Sequence, residues 1–227
     1  MQEQKSKNEK VSFGDGINEF IQRNRKIIFI ITGIIIILFI GSLIFVSVKE
    51  RADIKSAERI EELNRRFDEL KPGLNDEFFT EDVNSFLAEL ETFASKARGY
   101  SGSKAWLLAG DIYYTREDWS LAEQAFLNAA NIGKKTYLGP IAYSNAAAAA
   151  EESGNPELAI EYLILSLALN IEFPGAPRAQ FSIGRLNEQT GNIPAAIEAY
   201  REVLIKWSDS AWHQLAYSRI ISLEIEN

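Results

Sequence analysis

Residues 104–131 read KAWLLAGDIYYTREDWSLAEQAFLNAAN, and the spacing within this stretch predicts the fold. Trp106, Ala109, Gly110 and Tyr113 recur at steps of three and four, which places them on one face of a helix. After a polar break, Ala122, Phe126 and Ala129 do the same on a second helix. The alanine returns at Ala159 and again at Ala196, each time 37 residues on and in the same local context. In the second unit Tyr143, Ala146, Ala147 and Ala150 precede a Gly154-Asn155 turn, and Ala159, Leu163 and Ser166 follow it. In the third, Ile183 and Gly184 precede Gly191-Asn192, with Ala196, Tyr200 and Val203 beyond. Self-similarity of this kind predicts helical hairpins stacked side by side. A small residue where two helices cross lets their axes approach to about 8–10 Å, and a bulky one there would force them apart.

Trp106, Gly110, Tyr113, Ala122, Phe126 and Ala129 fall on the signature positions of the tetratricopeptide repeat, which the pattern resembles. The second and third units match it on the turn and second helix but depart on the first helix, where in the third unit Gln180 stands for the usual large apolar residue and Asn187 for the usual Tyr. An interval of 37 exceeds the usual repeat of about 34, and the excess is assigned to longer connections around Lys134-Lys135 and Phe173-Pro174.

Working outward, Ala211 to Leu223 carries Leu215, Ala216, Ile220 and Ile221 at helical spacing and is expected to close the stack by covering its last apolar face. On the other side, Ile60, Leu63, Phe67 and Leu70 form an apolar stripe that Pro72-Gly73 ends. It covers fewer than two heptads, too few for a coiled coil, so it is expected to pack on the domain that follows. Thr80 is placed as the N-cap of a helix carrying Val83, Phe86, Leu87, Leu90, Phe93, Ala94 and Ala97 on one face, and 99–103 as the break that ends it.

Between Lys26 and Lys49 lie 22 residues without a charge, ten of them Ile. As a helix this run rises about 33 Å, against a hydrocarbon core of about 30 Å. It is longer than the core of a secretory signal and leads into Lys49-Glu50-Arg51 without a small-residue cleavage pattern, so a retained span is expected. Arg23, Arg25 and Lys26 precede the run, and Lys49, Arg51, Lys55 and Arg59 follow it. That near balance is tipped by the ease with which a long following domain translocates, placing the N-terminus in the cytoplasm and the C-terminal domain outside. Residues 1–16 are polar and interrupted by Gly14-Asp15-Gly16, as expected of a disordered tail, and Phe20 and Ile21 are placed as interface anchors in an amphipathic lead-in.

The expected fold class is therefore all-α, one N-terminal transmembrane helix followed by an α-solenoid of tetratricopeptide-like hairpins. Its parts are a cytoplasmic tail and basic lead-in at 1–26, the span at 27–48, a linker helix and first helical pair at 49–102, three repeats at 103–210 and a capping helix at 211–227. This layout is similar to the ancillary subunit of the bacterial Sec translocon, a single-span protein with a periplasmic tetratricopeptide domain. The resemblance rests on Phe20 and Asn24-Arg25-Lys26 before the span and Gly41 late in it. Residues 177–209 also look like periplasmic repeat proteins of envelope assembly.

Residues 49–227 carry 18 basic and 28 acidic side chains, a balance that argues against nucleic acid as a partner. The one histidine, His213, the lack of cysteine and the lack of a phosphate-binding loop or ligand cluster give no basis for an enzyme, a metal or a cofactor. Glu151-Glu152 reads as solvated charge at a helix end. Binding is the expected activity. Carried over from the repeat family by position, a concave groove would present Lys104, Leu107, Asp111 and Tyr114, then Ser144, Ala148 and Glu151, then Arg178, Phe181, Arg185 and Glu188. Arg178 and Arg185 flanking Phe181 on one helix face suit an acidic or carboxylate-bearing peptide. Two roles at the inner membrane follow as expectations: a protein-binding adaptor or chaperone near the translocon, or a structural subunit of a secretion, division or motility complex.

Overall fold

The computed structural model describes residues 13–226, and every regular element in that range is helical. In chain order the helices are α1 (Phe13–Leu70), α2 (Thr80–Lys96), α3 (Gly99–Thr115), α4 (Trp119–Ile132), α5 (Leu138–Glu152), α6 (Pro156–Leu169), α7 (Ala176–Gln189), α8 (Ile193–Lys206) and α9 (Ala211–Glu226). The chain divides into two units, Met1–Ile54 and Lys55–Asn227.

In the first unit α1 is already helical at Phe13, so Gly14-Asp15-Gly16 lies inside a helix and not in a disordered tail. Residues 1–12, the rest of the expected tail, and the Ile21 side chain lie outside the described residues. From Phe29 to Val48 the large apolar side chains present half or more of their surface. By length and composition this helix is able to cross a membrane, a property that spans share with signal sequences.

The second unit is a row of antiparallel hairpins in which each helix packs on the next. Ile60, Leu63 and Phe67 at the end of α1 are buried with Val83, Phe86 and Leu90 of α2, as the stripe spacing predicts. Thr80 is not a cap, because a 3-10 turn at Glu77–Phe79 runs straight into α2 and puts Phe79 at the cap position. The break before α3 falls at Ala97 and Arg98, and residues 99–103 form the first turn of the next helix. Ser103 is fully buried there, and its Oγ donates to the Ala129 carbonyl of α4 at 2.9 Å.

The three repeats share one turn. The N–H groups of Asp118, Asn155 and Asn192 donate to the carbonyls of Tyr113, Ala150 and Asn187 at 2.9, 2.9 and 2.8 Å, closing the C-terminus of α3, α5 and α7 in a Schellman arrangement. The residue before each takes a left-handed backbone, and Gly154 and Gly191 fill that position at φ 81° and 80°. Asn155 and Asn192 then cap the next helix, accepting from the Leu158 and Ala195 N–H groups. Ala122, Ala159 and Ala196 are fully buried one turn later. Within a repeat the helices are joined by three residues, whereas 133–137 and 170–175 join one repeat to the next, so the added length does fall in those connections.

At the C-terminal end α9 covers the last hairpin with Ala216, Ile220 and Leu223, which are buried against Tyr200 and Val203. It is an incomplete cap, since Leu215, Tyr217, Ile221 and Ile225 on its outer side remain exposed.

Candidate functional site

The first helices of successive repeats, α3, α5 and α7, stand side by side, and between α5 and α7 lies a cleft of about 280 Å³. Its floor is apolar, from Ile141 and Ala147 of α5, Leu163 of α6 and Leu186 of α7. Phe173, Pro174 and Gly175 of the connection close one end. Ser144, Ala148 and Glu151 line one wall, and Arg178, Ser182 and Arg185 line the other.

The walls are tied by a forked ion pair in which Arg185 Nη1 and Nη2 each donate to Glu151, to Oε1 and Oε2, both at 2.7 Å. This two-point geometry sets the spacing of α5 and α7 as well as neutralising both charges. The Glu151 carboxylate holds the Arg185 guanidinium above its ordinary pKa. Arg178 is exposed and makes no ion pair among the described residues, so it is the available cation of the cleft. Tyr114 of α3 stacks edge-on against Trp119 at 4.9 Å between ring centroids. Burial, and then the nearby Glu152 and Glu151 carboxylates, raise its hydroxyl pKa, and the Arg178 charge acts in the other direction. Tyr114, Glu151 and Arg178 thus belong to one electrostatic neighbourhood.

Of the remaining predicted residues only Ser144 lines the cleft, and the repeat register says why. Leu107, Ser144 and Phe181 are equivalent at steps of 37, and Ser144 and Phe181 each contact the second helix of their own repeat. Leu107 is buried in the core and is no part of a groove surface. Ser144 lines the cleft wall while its hydroxyl shares a hydrogen bond with Ser166 of α6 at 2.9 Å. Phe181 lies between Tyr200 and Trp212, 5.1 Å from each ring centroid, so it does not stand between the two arginines on one binding face. Glu188 is ion-paired with Arg219 of α9 and accepts a hydrogen bond from Tyr200 Oη at 3.0 Å. Lys104 and Asp111 lie on α3 away from the cleft. Asp111 is half-buried, and desolvation pushes its carboxyl up to about 6 against the pull of Lys104 and Lys71.

Asn145 and Ser182 line the cleft and are themselves 37 residues apart. They sit one place beyond Ser144 and Phe181, and the signal that could have found them is the side on which each first helix meets the next repeat. Among the described residues no three His, Asp or Glu side chains converge as a metal site would require. His213 is half-buried on α9 beside Trp212.

Residues 144–211 match the family model of the tetratricopeptide repeat. A tetratricopeptide repeat-containing protein of Treponema pallidum (strain Nichols) is 33% identical over 144 residues, 63% of this chain and 60% of that protein. The alignment thus spans less than two thirds of the relative's length. Among solved structures, two crystal structures of the nearly identical tetratricopeptide-like repeats of a candidate kinesin light chain from Podosopora anserina, one of them a substituted form, superpose with TM-scores of 0.54 and 0.53. They are 13% and 14% identical, with 72% of this chain and 85% and 86% of theirs covered, a likeness of fold alone. The matched residues run from the cleft wall at Ser144 through the third hairpin to the start of α9.

Proposed function

We propose that this tetratricopeptide-repeat chain is a membrane-tethered scaffold that captures segments of other proteins in the cleft between α5 and α7. The observation that carries the reading is the juxtaposition there of an apolar floor with an unpaired Arg178 and a charge-neutral Arg185–Glu151 wall. An extended segment with an acidic group for Arg178 and an apolar side chain for the floor has the matching chemistry. No catalytic step is assigned to the chain.

The apolar run Ile27 to Val48 is the proposed anchor, with the N-terminus cytoplasmic and the repeats on the extracytoplasmic face of the inner membrane. Confinement to a surface raises the local concentration of the repeats near emerging or assembling polypeptides, which suits an adaptor or chaperone beside the translocon. The exposed outer side of α9, with Tyr217, Ile221 and Ile225, favours a second role as a structural subunit of an envelope complex.

The test is in-cell photocrosslinking from position 182, on the cleft wall, in the full chain, with and without Arg178→Glu. Crosslinks to several translocating proteins that fall at least about tenfold in the variant support the adaptor reading. Unchanged crosslinks with Arg178→Glu remove the cleft assignment, and one fixed stoichiometric partner favours the structural subunit. Protease added to spheroplasts should trim residues 49–227, and protection of that part overturns the orientation.

A further inference from the structure

On the opposite side of α7 from the cleft runs a second and wider groove, about 650 Å³, between the second helices α6 and α8. Two departures from the repeat pattern open it. Position by position, Trp106, Tyr143 and Gln180 are equivalent, as are Tyr113, Ala150 and Asn187. In the first repeat Trp106 packs into the apolar clusters around α3, and Tyr113 reaches back across the seam to donate to Glu91 of α2 at 2.8 Å. In the second, Tyr143 is buried. In the third, both sites hold amides that bond only to nearby backbone, Gln180 to the Ala199 carbonyl at 3.2 Å and Asn187 to the Ile183 carbonyl at 2.8 Å. The ring that both earlier repeats carry at the first site, and that the first repeat alone carries at the second, where the second repeat has Ala150, is missing here, and the groove runs along these two amides.

The walls left open are apolar. Ile160, Ile164, Leu167 and Ala168 come from α6, and Ala195 and Ala199 from α8. Ile164 is 53% exposed and Ile171, just beyond α6, 41%. The sequence of α6, PELAIEYLILSLAL, is apolar on all sides, as in a helix that is covered all round, and its only charges are Glu157 and Glu161. The rim is acidic as well. Lys206, the one cation lining the groove, is ion-paired with Glu202, which leaves Glu198 without an ion pair among the described residues.

We infer that this groove docks an amphipathic helix of a partner protein, with its apolar stripe on α6 and lysines or arginines along its flanks facing the acidic rim. Ile160 to Ile171 spans roughly 16 Å, about three helical turns, enough for anchors at i, i+4, i+7 and i+11. A second copy seated through the same face would bring acidic rim against acidic rim, and an anionic lipid surface would meet the same repulsion. The inference is independent of the α5–α7 cleft, because it uses the other face of α7.

The experiment uses the full chain in neutral-lipid nanodiscs and a fluorescein-labelled helical peptide with leucines at those four spacings and lysines flanking them. A control peptide carries glutamates in place of the lysines. Anisotropy should show the lysine peptide binding at least about tenfold more tightly than the control, with affinity falling as salt rises. Ile164→Glu and Ala168→Glu, both at exposed positions, should each weaken it about tenfold or more, while Arg178→Glu leaves it unchanged. No saturable binding up to about 100 μM, equal binding of the two peptides, or full binding by both groove variants overturns the proposal. So does self-association of the chain that Ile164→Glu abolishes, since that would make the face a contact between copies.

Discussion

Glu117 carries the one positive φ outside glycine among the described residues, 62°, at the position that Gly154 and Gly191 occupy in the other two turns. The turn there still forms, with the Asp118 N–H on the Tyr113 carbonyl, so Glu117 is held in a conformation its Cβ disfavours. Glu117→Gly should raise stability by about 0.5–1 kcal/mol: about 1–2 kcal/mol of left-handed strain is relieved, less the greater freedom of glycine in the unfolded chain. Chemical denaturation of the two proteins checks it. Asp111 is the other residue whose environment works against it. Desolvation raises its folded-state pKa to about 6 from an ordinary 3.8. Its contribution to stability is therefore fully present below about pH 4 and is lost as pH rises through 6. Asp111→Asn should be more stable than the native chain at pH 7–8 by on the order of 1–2 kcal/mol, allowing for partial solvent access. At pH 3.5 the two should melt alike. A melting series from pH 3.5 to 8 without this convergence would remove the assignment.

Each hairpin solves the same crossing problem with a matched pair of side chains. A Cβ on Gly110 would overlap the Phe126 ring, and one on Gly184 would overlap the Tyr200 ring, so in both a flat ring lies directly on a glycine. The second repeat has Ala147 and Leu163 at the same two positions. A branched aliphatic side chain leaves room for the methyl group that a ring excludes. Gly110→Ala should accordingly cost about 1–3 kcal/mol through overpacking. In a Phe126→Leu background it should be neutral or favourable, because only the helix propensity of alanine then remains. A double-mutant cycle measures the coupling, and strictly additive effects would show that the ring does not set the requirement. Legibility also differed by element. The small-residue crossing is visible as a spacing, but its partner is not, because only the packed hairpin shows that Gly110 meets the Phe126 ring.

Across the whole chain, what could be read from the residues is what periodicity encodes: the all-helical class, the 37-residue repeat, the turns and the long apolar run. Hydrophobic spacing at 3.6 residues per turn is local, and three copies in register reinforce one another. Even so, the start of α3 differs from the sequence expectation: Gly99 and Gly102 signal a break in isolation, whereas in the fold Gly99 opens α3 with a left-handed backbone at φ 56° and Gly102 lies against the Ala97 carbonyl at the end of α2. The sites needed the tertiary structure, for a geometric reason. A helix in a solenoid touches three neighbours, and a shift of one position turns a side chain by about 100° from one neighbour to another. Spacing put Arg178, Phe181 and Arg185 on one face, but packing sends Phe181 to Tyr200 and Trp212, and Arg185 to Glu151 on the preceding hairpin. Likewise Gln180 and Asn187 showed as departures from a pattern, and only the placement of α6 beside α8 turned their small side chains into an open groove.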